Sequence, residues 1–440
     1  MPSAEAHRVV LRLLGFTGWP LLTLVTPLLA MPVVARLAGQ GWSSMATAMS
    51  VGTFGSAAVL WGWNYVGPAR VARLKTVEEL NRLYSGSVLS RGLLCLGVIP
   101  ACAAISAWIA VPSLRVAAAA TAVAFVLPAM SPQWYCIGVG DARLLGYFDT
   151  LPRALSTVIA IPLMIVSGQV IIYPCLLAIG VFIGLMLFRR RVFPDVCADY
   201  PSLPEVWADI RRMSGAAGSN LVGAAYGYTP TPIATAALNP GLSSRFASAD
   251  QIYRYALFLV QALGNALQGW VLEVDGLQGR RRQRLAIVAH LVLGVCGALG
   301  LAGMTPLISS ILFGAQISAT YAASAWYGVA FFAISTATPL LRNVLIPAGQ
   351  ARTVFVATVV AAIGGLGVMT VGAVLRSMTV IAAGMACSEL LILMVLAPSA
   401  LRALRRMDAH DQARAPMSVT AWAEKPPQRR WSPGDERDCR

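Results

Sequence analysis

RRRVFPDVCADYPSLPEVWADIRRM, residues 189–213, is polar, contains prolines, carries basic residues at both ends, and interrupts a chain that is otherwise apolar almost from end to end. On either side of it, apolar runs of about 20 residues recur, each long enough for a helix to cross roughly 30 Å of hydrocarbon. Six runs precede the interruption, at 9–33, 44–66, 87–110, 116–138, 145–167 and 170–188, and six follow it, at 215–237, 251–273, 285–304, 318–341, 354–375 and 379–398. The reading is an all-α polytopic membrane protein of about 12 transmembrane helices in two six-helix bundles, residues 1–188 and 214–400, joined by a cytoplasmic linker at 189–213. The remainder, 401–440, mixes prolines with charges of both signs and reads as a disordered cytoplasmic tail.

Composition agrees. Of the 440 residues, 57% are hydrophobic and 12% charged, against roughly 25% charged in a soluble domain. The net charge of +15 is a matter of topology, because Lys and Arg gather on alternate connections. With the N-terminus inside, only Arg36, Arg115, Arg245 and Arg376 fall outside and only Arg153 and Arg254 fall within spans, so both termini are cytoplasmic. Anionic headgroups, not nucleic acid, are the partner that this basic balance implies. The start, MPSAEAHRVVLRLLGF, has no small-residue cleavage site and reads as an uncleaved anchor in the cytoplasmic membrane. The eight cysteines form no CxxC pair, and the three histidines, 7, 290 and 410, are far apart, so no metal site or cofactor is implied. His290 reads as a packing residue.

Each half repeats a layout of two spans, a basic connection and four more spans. The first connection, PARVARLKTVEELNRLYSGS (67–86), places Val71, Leu74, Val77, Leu80 and Tyr84 three or four apart, which predicts an amphipathic helix on the membrane surface; the second is DGLQGRRRQR (275–284). The spans before them end in Trp61-Gly62-Trp63 and Gln268-Gly269-Trp270. Prolines interrupt matching spans: Pro20, Pro27 and Pro32 against Pro230 and Pro232, and Pro128 and Pro132 against Pro339. Broken helices at matching positions of two repeats point to the substrate path of a transporter, packing kinks being the plainer reading. Gly223 with Gly227, and Gly294, Gly297, Gly300 and Gly303, predict close helix packing.

Several chemistries are excluded. The two lysines, Lys75 and Lys425, sit in no phosphate-binding loop of the GxxxxGK[ST] type. The longest external segment, NPGLSSRFASAD (239–250), offers Asp250 as the only external carboxylate, too little for acid/base catalysis on that face, so the chain reads as no enzyme.

Five stretches in order resemble the polysaccharide flippases, the O-antigen or Wzx type, of the multidrug/oligosaccharidyl-lipid/polysaccharide exporter superfamily that also holds the MATE drug exporters. They are TPLLAMPVVARLAGQGW (26–42), SPQWYCIGVGD (131–141), SADQIYRYALFLVQALGNAL (248–267), LFGAQISATYAASAW (312–326) and LLRNVLIPAGQAR (340–352). Gln268-Gly269-Trp270 departs from the pattern, since many relatives carry a proline there. The resemblance implies a MATE-like pair of bundles related by a pseudo-two-fold axis, a central cavity open to each side in turn, and a polyprenyl diphosphate carrying an oligosaccharide as substrate, with membrane lipids and polysaccharide polymerase or assembly proteins as partners. A diphosphate crossing hydrocarbon needs cations, and arginine's fork suits phosphate. The candidates are Arg36, Arg91, Arg153, Arg254 and Arg342, with Arg36 and Arg254 near outer ends of their spans and Arg91 and Arg342 near cytoplasmic ends. Asn64, Gln133, Trp134, Asn220, Tyr226 and Tyr228 are candidates for sugar contacts. Glu389 is a proton or cation site, or the partner of an arginine on a neighbouring helix, the latter being favoured. A MATE-type drug/cation antiporter is the alternative function, disfavoured because arginines outnumber acids within the spans.

In GYFDTLPRALS (146–156), Asp149 precedes Arg153 by four positions, the spacing at which the two share a helix face, and Pro152 frees the carbonyl of Phe148 and predicts a bend. Two readings stand: Asp149 neutralises Arg153 so that the helix inserts, or the pair opens and Arg153 takes the diphosphate.

Overall fold

The computed structural model describes residues 26–194, 200–273 and 276–421, together with Trp19 and Leu22. The predicted start of the first span with Pro20, as well as Cys197, Lys425 and Cys439, lies outside the described residues. Among the described residues the chain is helical and contains no strand. The helices are α1 (26–38), α2 (Trp42–Leu60), α3 (Trp63–Val71), α4 (Val77–Ile109), α5 (Arg115–Val126), α6 (Gln133–Val139), α7 (Ala142–Leu145), α8 (Leu151–Ser167) and α9 (Ile172–Val192) in the first half. The linker holds α10 (Leu203–Arg212). The second half holds α11 (Ser214–Tyr228), α12 (Pro230–Ala237), α13 (Pro240–Leu272), α14 (Gly276–Phe313), α15 (Tyr321–Pro339), α16 (Ala351–Val374) and α17 (Met378–Ala421). Every predicted span has a helix, and 8 of the described helical stretches are by themselves long and apolar enough to cross a membrane.

Contacts group the helices by half. Helix α2 packs on α4 and α5, and α9 on α5 and α8; in the second half α14 packs on α13 and α15, and α17 on α15 and α16. The seam between halves is α2 against α11, α12 and α13. A hydrophobic cluster crosses that seam, joining Met31, Trp42 and Met45 to Phe246, Tyr253, Phe313 and Tyr327. Leu96, Val166, Leu299 and Ile363 are exposed on the outer surface, where lipid is as apolar as they are.

Proline breaks appear at some of the predicted positions and take specific forms, whereas α1 runs unbroken through Pro27 and Pro32, which corrects the expected break in the first span. Pro152 cannot donate to the carbonyl four residues back, and residues 146–150 wind as a π-helix, with the Leu151 amide reaching the Gly146 carbonyl. The freed Phe148 carbonyl lies against Gly184 of α9, where an added Cβ would sit 2.3 Å from it. Pro339 is followed by a second π-helix, residues 340–345. Pro230 separates α11 from α12, and Pro128 and Pro132 bracket a break between α5 and α6.

Four further expectations are corrected. Residues 67–86 are not one surface helix: the chain turns at 72–76, where Thr76 forms a capping box with Glu79 and starts α4, which continues into the third span. The segment 239–250 is not a loop, since Asn239 caps Pro240 at the first helical position and α13 begins there. The region from 401 is not unstructured throughout, because α17 runs to Ala421, helped by an Ala-, Leu- and Arg-rich stretch free of Gly and Pro from 399 to 415; residues 422–440 lie outside the described residues. Finally, an added Cβ on Gly223, Gly227, Gly300 or Gly303 would meet nothing within 4 Å, so these glycines are not required for close packing, whereas Gly297 admits the Phe331 ring.

The tightest helix contact is between α16 and α17. A Cβ on Gly365 would lie 1.6 Å from Ser388 Oγ and 2.9 Å from the Gly384 carbonyl oxygen, and the backbone atom cannot swing away. Gly365→Leu is expected to destabilise the fold by about 1–3 kcal/mol, read as a lowered melting temperature of the purified protein. Gly367→Ala, which meets nothing within 4 Å, is the matched control expected to melt like wild type or slightly higher.

The linker is anchored to the first half. Arg70 pairs with Asp209 at 2.9 Å, Arg82 pairs with Glu205 at 3.1 Å, and the Trp61 indole donates to the Ile210 carbonyl at 2.9 Å. Val206, Ile210 and Met213 are buried, Met213 in a cluster with Tyr84, Tyr135, Phe188 and Phe193. The Ser202 hydroxyl, and then Arg82, hold the Glu205 carboxyl below the usual carboxylate range. Trp61 takes a left-handed φ of 41° followed by Gly62 at 84°, so the Trp-Gly pair is the hinge that turns α2 into α3.

Candidate functional site

A cavity of about 390 Å³ lies on the seam. Helices α1 and α2 give it Pro27, Met31, Met49 and Ser50; the α5 break gives Phe125 and Pro128; α8 gives Arg153; and the second half gives Tyr228 and one stripe of α13, from Asp250 and Arg254 to Phe258 and Gln261. A side pocket of about 50 Å³ continues into the first half past Arg153 toward Thr157 and Tyr173. A cavity of about 430 Å³ beside the linker is lined by Glu79, Arg82, Glu205 and Asp209. Its acids are already engaged by Arg70, Arg82 or the Thr76 cap, which makes it the groove that seats α10.

Each half brings one Asp–Arg pair to the seam cavity. In the first half Arg153 NH1 lies 3.2 Å from an Asp149 carboxylate oxygen; Asp149 is buried beside the π-turn and Arg153 reaches the cavity. The Arg153 Nε–H is buried and makes no hydrogen bond among the described residues. In the second half Arg254 Nε donates to Asp250 at 2.7 Å, and its NH2 donates to the Gly227 carbonyl at 2.9 Å. The guanidinium lies over the Tyr228 ring at 4.9 Å, a face that attracts cations. Asp250 also accepts from Thr231 at 2.8 Å and from Tyr327 at 3.0 Å. The Asp250 carboxylate is engaged by three donors, and the arginines keep donors for something else.

Hydropathy assigns Asp250 to a loop, which conceals its role. Helix α13 starts at Pro240, so Asp250 is ten residues, about 15 Å, inside it. Arg254, placed near an outer end by hydropathy, is close to the helix middle for the same reason. The signal was present: Asp250-xxx-Arg254 repeats the spacing of Asp149-xxx-Arg153, and Asn239-Pro240 is a helix start.

Other candidates sit elsewhere, and their placement follows from what they touch. Arg91 is fully buried and spends its guanidinium on protein: Nε donates to the Ser87 carbonyl, NH1 to the Ala129 and Ser131 carbonyls at 2.7 and 3.0 Å, and NH2 to Ser87 Oγ. It satisfies carbonyls released where Pro128 and Pro132 break the span, and does not reach the cavity. Trp134 is buried under it, 4.9 Å from Trp63, so it too belongs to packing and not to sugar contact. Asn64 and Gln133 are exposed and line none of the described cavities. Asn220 reaches the Ala57 carbonyl across the seam at 3.5 Å. Tyr226 packs between two hydrophobic clusters.

Arg36 is exposed at the end of the bundle opposite the linker, where it donates to the Leu312 carbonyl at 3.0 Å and to that of Ile311. It caps the last turn of α14, a helix of the other half, and is thereby removed from the cavity. The same end is closed by Ser43 against Ser243 at 2.9 Å, by Ser244 donating to the Gln40 carbonyl at 2.6 Å, and by Trp42 stacked on Phe313 at 5.8 Å. Arg342 lies in the π-helix at the linker end, donating to Asn265 at 2.8 Å. His290 is fully buried with Nδ1 2.9 Å from the Ala286 carbonyl, while its Nε2 is buried without a hydrogen-bond partner among the described residues. Glu389 is buried, and among the described residues no arginine pairs with it, which corrects the favoured partner role.

No protein-family model matches the chain, and no curated protein sequence is significantly similar to it. Solved structures do share the architecture. An inward-facing conformation of a multidrug resistance MATE family transporter of the MOP superfamily superposes with a TM-score of 0.63 at 14% identity, covering 88% of this chain and 99% of that one. The fold is the MATE fold. Two further MATE-fold structures agree: the eukaryotic MATE transporter AtDTX14, with a TM-score of 0.57 at 13% identity over 92% of this chain and 99% of that one, and a point mutant of the Vibrio cholerae MATE transporter VcmN, with a TM-score of 0.52 at 13% identity over 92% and 98%. The seam cavity of this chain thus lies between the two halves of a MATE fold.

Proposed function

We propose that this chain is a transporter that moves a polyprenyl-diphosphate-linked oligosaccharide from the cytoplasmic to the outer leaflet of the cell membrane by alternating access. The observation that carries the reading is the pair of arginines, one from each half, facing one cavity whose lining aspartate already accepts from three protein donors. Guanidinium donors left over in a membrane-embedded cavity suit an anion with several oxygens, and a diphosphate offers two adjacent sets. Tyr228, Phe258 and Gln261 supply the aromatic faces and the amide that a glycan needs. In this reading both termini and the linker are cytoplasmic, the end sealed by Arg36 faces outward, and the molecule is inward-facing. A polymerase or assembly protein receives the flipped unit, and the chain itself breaks no bond.

The drug/cation antiporter reading draws on one specific observation, the buried Glu389 with no arginine partner among the described residues, which suits a coupling proton or cation. Increased drug susceptibility of a deletion strain, with surface polysaccharide intact, is the outcome that selects it.

Asp149→Asn tests the role of the first pair. If Arg153 is a substrate cation, the variant accumulates to normal levels with altered transport, and Arg153→Gln at normal levels traps lipid-linked units inside the cell. Loss of folded protein in Asp149→Asn assigns the aspartate to neutralisation alone, and normal surface polysaccharide in Arg153→Gln removes Arg153 from the substrate path.

A further inference from the structure

We propose that a groove on the lipid-facing side of the second half holds the isoprenoid tail of the substrate while the diphosphate sits at Arg254. The inference rests on the lipid-diphosphate reading above. The groove, of about 300 Å³, runs between α13 and α14 and is lined by Ile252, Tyr255, Gly300, Met304, Ile308 and Leu312 among others. Its lining is apolar apart from the Tyr255 and Thr305 hydroxyls, and Gly300 leaves it open, with nothing within 4 Å of an added Cβ.

What identifies the occupant is continuity with the cavity. Tyr255 lines both spaces. It follows Arg254 directly on α13, so the groove begins at the level of the guanidinium that would hold the diphosphate. From there it extends along α14 to Leu312, whose carbonyl Arg36 caps at the sealed end. The Tyr255 hydroxyl is buried beside the Gln251 side chain, and in this proposal it turns to donate to a phosphate oxygen at the junction. An amphiphile with a diphosphate head and a long apolar tail matches that sequence of surfaces: guanidinium, phenol, then an apolar groove facing lipid. A head-group alone would leave the groove without a role, and a phospholipid tail alone would not need the continuity with Arg254. The groove keeps the tail on the side of the bundle where the head is released.

The test is photolabelling of the purified protein in phosphatidylglycerol nanodiscs with a prenyl diphosphate that carries a photoactivatable group near the end of its tail. Labels are expected on Met304 and Ile308, displaced by excess undecaprenyl diphosphate and not by added phosphatidylglycerol. Labelling should fall about tenfold in Gly300→Phe, because a filled groove forfeits most of its contacts with the tail. Calorimetry with geranyl diphosphate separates the two claims. Its binding should be equal in wild type and Gly300→Phe, with unchanged melting temperature showing that the variant folds. Labels outside the groove, or labels displaced equally by phosphatidylglycerol, overturn the tail assignment while geranyl diphosphate binding keeps the head-group reading. If wild type binds no diphosphate at all, both fall.

Discussion

Arg254→Gln is expected to lower transport of a prenyl-diphosphate-linked oligosaccharide about 100-fold. The guanidinium is held over Tyr228 and fixed by Asp250 and the Gly227 carbonyl, while its NH1 makes no hydrogen bond among the described residues. One charge-assisted contact to a phosphate is worth about 1.5–3 kcal/mol, and the upper part of that range corresponds to about 100-fold. Glutamine keeps a polar side chain of similar reach but carries neither the charge nor the fork. The loss is expected in the rate of flipping per molecule of protein, with melting temperature measured alongside. Phosphate binding by Arg153 alone does not restore it, because the two arginines approach the cavity from different halves.

Asp250→Asn and Arg254→Gln are each expected to lose stability, since each leaves one member of the pair uncompensated. Asp250 has 6% of its side chain exposed and Arg254 21%, and the carboxylate is also the acceptor for Thr231 and Tyr327. Removing one member of a buried ion pair costs about 3–5 kcal/mol, because the remaining charge is left without compensation. Neutralising both members should return most of that: Asp250→Asn with Arg254→Gln is expected to melt well above Asp250→Asn alone and still fail to transport. A cycle of wild type, both single variants and the double variant measures the coupling. Additive melting shifts would show that the pair is not coupled in the folded protein. A double variant that transports normally would show that the pair is structural only.

The frame was legible in the sequence because hydropathy at a 20-residue scale is what the bilayer reads. The polar interruption at 189–213, the breaks at Pro128, Pro132, Pro230 and Pro339 and the Asp149–Arg153 spacing all have direct structural counterparts. Segment ends were less legible. Ser243, Ser244, Arg245 and Asp250 lower the hydropathy of a region that is helical because of its cap, and that single boundary hid the carboxylate beside Arg254. Residue type was an unreliable guide to exposure: Arg91 and Trp134 have the chemistry of a binding site, but a proline-broken span nearby offered carbonyls that needed a cation inside the protein. Tertiary relations of this kind, like the groove shared by α13 and α14 or the cap that Arg36 places on the other half, have no signature in a single helix.

The most direct measurement is flipping in proteoliposomes containing the purified protein and a fluorescent prenyl-diphosphate-linked oligosaccharide, with an organic cation assayed in parallel. The account predicts that wild type moves the diphosphate lipid and not the cation, and that Arg153→Gln with Arg254→Gln, each combined with Asn in place of its partner aspartate so that no buried carboxylate is left unpaired, abolishes movement in a protein that still folds. Cation transport without diphosphate-lipid movement, or wild-type rates in the doubly neutralised variant, would contradict it.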